Sequence, residues 1–326
     1  MRILVDAMGG DLAPKAAALG AIRAAQELGT EVVLVGRGEA ILQCLKENGV
    51  ETLPKGVEIA NAEDVVDMHD DPAAVVRKRK DSSMVVGLRM LAEGGGDAFI
   101  SAGSTGALLT AATLVVKRIK GIRRAAMGPV IPTKTGGGAV LIDCGANVDC
   151  QPDWLNQFAV MGSAYMESVM GIKNPRVGLI NIGAESEKGN ALVKAVYPMM
   201  EKAPYHFVGN VEARDITGDQ ADVLVCDGFS GNLVLKFMEG VAGTLMHMIK
   251  KELLADTRSK LGALLAKPAF KRVAKTMDYT EVGGAPLLGV QGAVVKAHGS
   301  SDGHAIACAI GQCVKMIDGH VVELIS

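Results

Sequence analysis

Short apolar runs alternate with longer amphipathic ones along most of the chain. Ile3–Val5, Val32–Val35, Val57–Ala60, Ala98–Ser101, Ala139–Ile142, Val177–Ile180 and Asp222–Cys226 are brief, apolar and bounded by polar or glycine-rich turns, the pattern of strands covered on both faces. Between them, Ala16–Leu28, Ala73–Leu91, Trp154–Met170 and Leu192–Met200 carry apolar residues at helical spacing. Apolar strands separated by helices predict an α/β fold in three layers, αβα, around a mostly parallel sheet. No Pro/Ser-rich linker, repeat or low-complexity tract divides the chain, so residues 1–326 are expected to form a single domain.

The polar residues gather where those strands end. Strand one runs into Asp6-Ala-Met-Gly-Gly-Asp11. Later strands run into Ser101-Ala-Gly-Ser-Thr-Gly106, Asp143-Cys-Gly-Ala-Asn147, Asn181-Ile-Gly-Ala-Glu-Ser-Glu-Lys-Gly189 and Asp227-Gly-Phe-Ser-Gly-Asn232. Ligands of open parallel sheets bind beyond the carboxyl ends of the strands, so five such turns predict a lined cleft. The turn Gly103-Ser104-Thr105-Gly106 interrupts 19 uncharged residues, Ala98–Val116, which otherwise approach the length of a membrane span. A buried strand, a tight turn and a helix opening near Gly106 fit better. The N–H groups and hydroxyls of such a turn suit an anion, phosphate above all, although a capped glycine turn has the same letters.

Aromatic residues make up only 3% of a chain that is 49% hydrophobic, so the core is built from Ala, Val, Leu, Ile and Met. A formal net charge of −2 carries no footprint of a nucleic-acid binder. Cys44, Cys144, Cys150, Cys226, Cys308 and Cys313 show no C-x-x-C pair and no zinc spacing, so they read as small buried hydrophobes. The opening Met-Arg-Ile-Leu-Val meets Asp6 before any signal-like apolar region, which predicts a cytoplasmic protein.

Several chemistries lack their residues. No G-x-G-x-x-G follows strand one, and Pro132-Thr-Lys-Thr-Gly-Gly-Gly138 holds the letters of a P-loop in the wrong order. The histidines form no metal-binding pair. Asp6 and Asp11 could meet a cation, but they read more simply as turn caps. A serine hydrolase is the stronger rival: Ala102-Gly-Ser-Thr-Gly106 approaches a nucleophile elbow, with Asp227 and His298 or His304 in triad order, but no oxyanion loop lies upstream.

Two charge runs stand out. Glu63–Asp71 followed by Arg77-Lys78-Arg79-Lys80 reads as a loop and a solvated helix face. Lys250–Lys275 holds eight basic residues against two acidic ones, a local excess of six. Leu254, Leu261, Leu264 and Leu265, then Phe270, Val273 and Met277, recur at helical spacing on either side of Pro268. A proline at the first turn of a second helix predicts an exposed basic hairpin over residues 250–278.

Val5-Asp-Ala-Met-Gly-Gly-Asp11, Ile100-Ser-Ala-Gly-Ser-Thr-Gly106, Asp143-Cys-Gly-Ala-Asn147, Gly228-Phe-Ser-Gly-Asn232 and Lys296-Ala-His-Gly-Ser-Ser301 follow one another across nearly the whole chain. Together they resemble the bacterial fatty acyl-ACP:phosphate acyltransferases of phospholipid synthesis. Leu12 departs from that pattern, which has His before Ala13-Pro14. The resemblance implies reversible transfer of a long-chain acyl group from acyl carrier protein to inorganic phosphate, giving acyl phosphate for phosphatidic acid synthesis. It also implies a fold similar to phosphate acetyltransferases and isopropylmalate dehydrogenases, a homodimer, and no cofactor or metal. A membrane glycerol-3-phosphate acyltransferase would take the product. An acidic carrier and lipid products suit the basic hairpin, so Arg258, Lys260, Leu261, Leu264, Lys267, Lys271 and Arg272 are expected to touch the carrier or, transiently, an anionic membrane surface. A stripe packed on the core or on a second copy would have the same spacing.

In that reaction phosphate is the nucleophile, so the residues to find are donors. Lys188, before Gly189 at a helix start, is the leading cation for phosphate or the oxyanion. Asn232 is expected to donate from its amide, unless it only caps its helix. Gly103, Ser104, Thr105 and Gly106 are expected to hold phosphate. Asp6, Gly9, Gly10, Asn147, Ser230, Lys296 and His298 are expected to line the cleft.

Overall fold

The computed structural model describes residues 1–277 and 283–326, with side chains for 1–273 and 283–326. Its strands are β1 (Arg2–Asp6), β2 (Glu31–Gly36), β3 (Val57–Asn61), β4 (Ala98–Ser101), β5 (Ala126–Met127), β6 (Val130–Pro132), β7 (Gly138–Ile142), β8 (Arg176–Asn181), β9 (His206–Glu212), β10 (Val223–Val225), β11 (Ala285–Leu288) and β12 (Ala293–Lys296). Its helices are α1 (Lys15–Leu28), α2 (Gly38–Glu47), α3 (Val75–Lys78), α4 (Ser83–Ala92), α5 (Thr105–Ala111), α6 (Pro152–Ser168), α7 (Ala191–Met200), α8 (Gly228–Leu253), α9 (Thr257–Met277), α10 (Gly303–Asp318) and α11 (Val321–Ile325).

The mixed α/β architecture with mostly parallel strands is the one the alternating pattern predicts. The strands nevertheless divide into two sheets. One has the order β3-β2-β1-β4-β12-β11-β5, the other β6-β7-β10-β8-β9. Runs such as Val32–Val35 are wholly buried because helices cover both faces of the parallel strands. Side-by-side order leaves no mark in such runs, since every buried strand looks alike to its neighbours.

Two helix boundaries differ from the sequence reading. Ala73–Leu91 is not continuous: α3 stops at Lys78, and Ser82 starts α4 by accepting the N–H of Val85. Arg79 in the break reaches Asp64 at 3.2 Å and Asp70 at 3.0 Å. The Arg77–Lys80 run is therefore partly an ion-paired knot rather than a solvated helix face. In the hairpin, the corner falls between Leu253 and Thr257, and Pro268 lies inside α9. The hairpin thus begins at Gly228, much earlier than residue 250. Beyond Gly231, no described residue of α8 or α9 is buried; Val234, Leu235 and Met238 at the start of α8 pack half-buried on the core, and the described side chains of α9 stand in or near solvent. The expected hairpin residues Lys275 and Met277, by their side chains, and residue 278 lie outside the described residues. No described helix is long and apolar enough to cross a membrane.

Candidate active site

The five polar turns belong to two sheets, two of them following β1 and β4 and three following β7, β8 and β10. In the first sheet β1, β4 and β12 are adjacent, and their turns pack on one another. Asp6, at the end of β1, is buried and accepts the Ser101 hydroxyl at 2.6 Å and the N–H groups of Met8 and Gly9 at 3.1 Å each. Burial pushes its carboxyl above the ordinary aspartate value, and these donors pull it back. A Cβ on Gly9 would lie 2.6 Å from Asp6 Oδ2 and 2.8 Å from the Gly103 nitrogen, so only glycine lets the two turns touch. The third turn joins through the Asp11 N–H, which donates to the Gly299 carbonyl at 2.8 Å. Asp6 and Gly9 therefore brace the turn from beneath; neither lines the cavity described below.

In the second sheet Asp143, wholly buried, is the organiser. Its carboxylate accepts the N–H groups of Met127 (2.9 Å), Ala146 (3.2 Å) and Asn147 (2.6 Å) and the Asn147 amide (3.0 Å). Burial raises its pKa to about 6 against those donors. The Asn147 amide also donates to the Ala125 carbonyl at 2.8 Å, so it holds the loop together and has no hydrogen left for a substrate. Asp227 caps α8 by accepting the Ser230 N–H at 2.8 Å and hydroxyl at 2.9 Å. Ser230 is thus a capping partner, and the aspartate that a hydrolase triad needs is engaged there.

Between the two sheets lies a cavity of about 140 Å³, lined by Thr105, Cys144, Asn232, Lys236, Lys296 and His298 among others. Thr105 opens α5, whose N-cap Ser104 makes no capping bond. Gly103 donates its N–H to the Ser101 hydroxyl, so within the Gly103–Gly106 turn Thr105 is the residue that reaches the cavity. Asn232 stands one turn inside α8 and makes no side-chain hydrogen bond among the described residues, so its amide is open to the cavity. Lys296 donates to the carbonyls of Ala102 (3.3 Å) and Ala297. Burial lowers its ammonium from 10.5 to about 8, partly offset by the Asp6 and Asp11 carboxylates. His298 meets Ser300 through Nδ1, which lies 2.8 Å from the Ser300 hydroxyl and 3.2 Å from its N–H. Burial raises the Cys144 thiol well above its ordinary value and keeps it protonated.

Lys188 is exposed in the loop after β8 and does not line the cavity; its carbonyl accepts the Asn181 amide at 3.1 Å. Sequence reading missed Lys236 and Glu239, a pair at 2.8 Å on the same wall as Asn232. Lys236 stands four residues after Asn232, a same-face spacing that could have flagged it.

The family model described as "Fatty acid synthesis protein" matches residues 1–324. A phosphate acyltransferase of Desulfitobacterium hafniense is 51% identical over 324 residues, covering 99% of this chain and 96% of that protein. One of Alkaliphilus oremlandii is 49% identical over 329 residues, covering 100% and 96%. Among solved structures, a phosphotransacetylase from Streptococcus pyogenes shares the fold with a TM-score of 0.63 at 17% identity, covering 99% of this chain and 94% of that one. A branched-chain phosphotransacylase from Enterococcus faecalis has a TM-score of 0.59 at 12% identity, covering 97% and 99%. Matched over nearly its whole length and sharing about half its residues with these relatives, the chain belongs to the fatty acid synthesis protein family and is an acyltransferase.

Proposed function

We propose that this acyltransferase moves a long-chain fatty acyl group from the thiol of acyl carrier protein to inorganic phosphate, releasing acyl phosphate. The convergence of the Lys296 ammonium, the Thr105 hydroxyl and the Asn232 amide on one cavity carries this reading, since the described lining offers cations and donors, with the Glu239 carboxylate paired to Lys236 and the Cys144 thiol kept protonated. A phosphate oxygen forms the new bond to the thioester carbon, the C–S bond breaks, and sulfur leaves as a thiolate. A thiol pKa of about 8.5 makes that departure easy without a strong acid. Orientation can supply ~7–11 kcal/mol, and one good oxyanion donor roughly 3–4 kcal/mol. Lys188 is assigned as a second cation, because β8 abuts β10 and the β8 loop opens at the same edge as the Asn232 turn. Residues of both sheets build the cavity, so the whole chain is taken as one catalytic domain. Trapping the product with hydroxylamine tests the reading: product must require both acyl carrier thioester and phosphate. Thioester loss without phosphate would indicate a hydrolase instead.

Replacing Ser104 and Thr105 together by Ala is expected to raise the phosphate concentration at half-saturation by about tenfold or more, with the fold intact, because a donor at the anion is lost. An unchanged phosphate dependence removes that turn from the site.

The hairpin is assigned to contacts outside the chain. Phe229, Leu233, Phe237, Val241 and Leu245 form an exposed apolar row along α8 at four-residue spacing, suited to a second copy. On α9, Leu261 and Leu264 are 62% and 66% exposed beside Lys260 and Lys267, suited to transient contact with an anionic membrane. Each cation near such a surface adds about 1 kcal/mol, enough for reversible attachment. Anionic vesicles are expected to pellet the parent at low salt and much less at high salt, and to leave Leu261→Glu/Leu264→Glu in solution. Equal pelleting of both proteins ends the membrane assignment.

A further inference from the structure

The longest acid-free stretch of the chain holds a dense cluster of cations. No Asp or Glu occurs between Asp97 and Asp143, and Lys117, Arg118, Lys120, Arg123 and Arg124 fall within it. All five are exposed, and none is in an ion pair among the described residues. The segment is nonetheless held in shape. Gln157 of α6 accepts the Arg123 N–H at 2.8 Å and donates to the Gly121 carbonyl at 3.0 Å, and Arg124 lies over the Trp154 ring at 4.6 Å. Like charges held together without counter-ions repel one another, and an acidic partner relieves that repulsion.

We propose that this face is where the acidic carrier protein docks, delivering its phosphate-linked arm along α5 to the Thr105–Lys296 cavity. The identity of the partner rests on the carrier-thioester reading above; the position of the face does not. Arg118, Arg123, Arg124 and Trp154 line a surface cavity of about 820 Å³, together with Asp153, which pairs with none of them among the described residues. A second cavity, of about 320 Å³, shares Arg118 and Arg124 and extends to Leu109, Thr110 and Asn147. Helix α5 lines this second cavity with Leu109 and Thr110 and the reaction cavity with Thr105. The loop after β7 does the same with Asn147 and with Cys144. One helix and one loop therefore wall a route from the basic face to the reacting groups. Guanidinium forks at the outer end match the phosphodiester of a carrier arm, and the mixed apolar and hydroxyl lining further in matches the arm itself. No described residue of α9 lines any of these three cavities.

Trp154 is the sole tryptophan of the chain, so its emission reports events on this face. In a titration with holo carrier protein at low salt, the parent is expected to show a saturable change in tryptophan emission. Lys120→Glu/Arg123→Glu, and the milder Lys120→Ala/Arg123→Ala, are expected to weaken it about tenfold or more. In turnover, the KM for acyl carrier thioester rises by a similar factor, while kcat and the use of an uncharged acyl-pantetheine thioester stay at parent values. Carrier binding by both variants at parental affinity overturns the proposal. So does loss of acyl-pantetheine turnover in both, or loss of binding only in a Lys260→Glu/Lys267→Glu hairpin variant. If the parent binds carrier but makes no acyl phosphate, the reaction assigned above fails while the docking face stands. If the parent shows no saturable binding, the docking face is wrong.

Discussion

Lys296→Met is expected to lower turnover by about a hundredfold or more without lowering the melting temperature. The rate effect follows from removing a preorganised cation at developing negative charge, where one donor is worth roughly 10²–10³ in kcat. The stability effect runs the other way. Burial holds the ammonium at about 8 rather than 10.5, so the unfolded chain binds the extra proton more tightly across that window. Stability therefore rises with pH between about 8 and 10.5, and at neutral pH the charged side chain destabilises the fold by about 3 kcal/mol. Methionine removes that charge and fills the same space. Turnover of the parent is also expected to fall above about pH 8 as the ammonium loses its proton. Lys296→Arg, charged at every accessible pH, is expected to shift that limb upward. Lys188→Ala, whose side chain stands in solvent beyond the cavity, is expected to lose about tenfold, since an exposed cation acts through a more screened field. Parent-like kcat in Lys296→Met sinks the assignment, and so does a loss of activity that merely tracks a fall in melting temperature.

How far the sequence reaches can be followed at this lysine. Strands such as Ala98–Ser101 were legible because unbroken apolar runs have few alternatives between polar turns, and all five polar strand ends do lie at strand termini. What placed Lys188 ahead of Lys296 was local: a lysine beside a glycine at a helix start. The burial of Lys296 and its bond to the Ala102 carbonyl come from β4 and β12 lying side by side, a pairing of residues almost 200 positions apart. Asn147, expected to line the cleft, spends its amide on Asp143 in the same turn and on the Ala125 carbonyl, and the second of these contacts comes from packing that no local spacing encodes. Pro268 misled differently. Its ring forbids an N–H bond, which predicts a break. On an exposed helix the freed Leu264 carbonyl can meet water, and α9 continues.

The closest approach between the site's two loops sets the other large effect, at Gly231. A Cβ added there would lie 1.9 Å from the Asp143 carbonyl oxygen and 2.9 Å from Cys226 Sγ. The first of these is backbone, so no rotamer change relieves it, and α8 must move away from the loop after β7. That loop is fixed by four donors to the buried Asp143 carboxylate, and α8 is anchored to it by the Gly228 N–H, which donates to the Asn147 carbonyl at 2.8 Å. Gly231→Ala is therefore expected to destabilise the protein by about 1–3 kcal/mol or somewhat more. It also displaces the neighbouring Asn232, and a misplacement of about 1 Å costs on the order of a hundredfold in rate. Gly240→Ala serves as the matched control on the same helix, because a Cβ there meets nothing within 4 Å. Alanine is the better helix former by about 1 kcal/mol, so Gly240→Ala is expected to melt at or above the parent temperature with unchanged turnover. Thermal melts and single-substrate kinetics on the two variants decide the matter. If Gly231→Ala keeps parental turnover, the contact between α8 and the Asp143 loop does not position the Asn232 amide, and the second donor must come from another wall of the cavity.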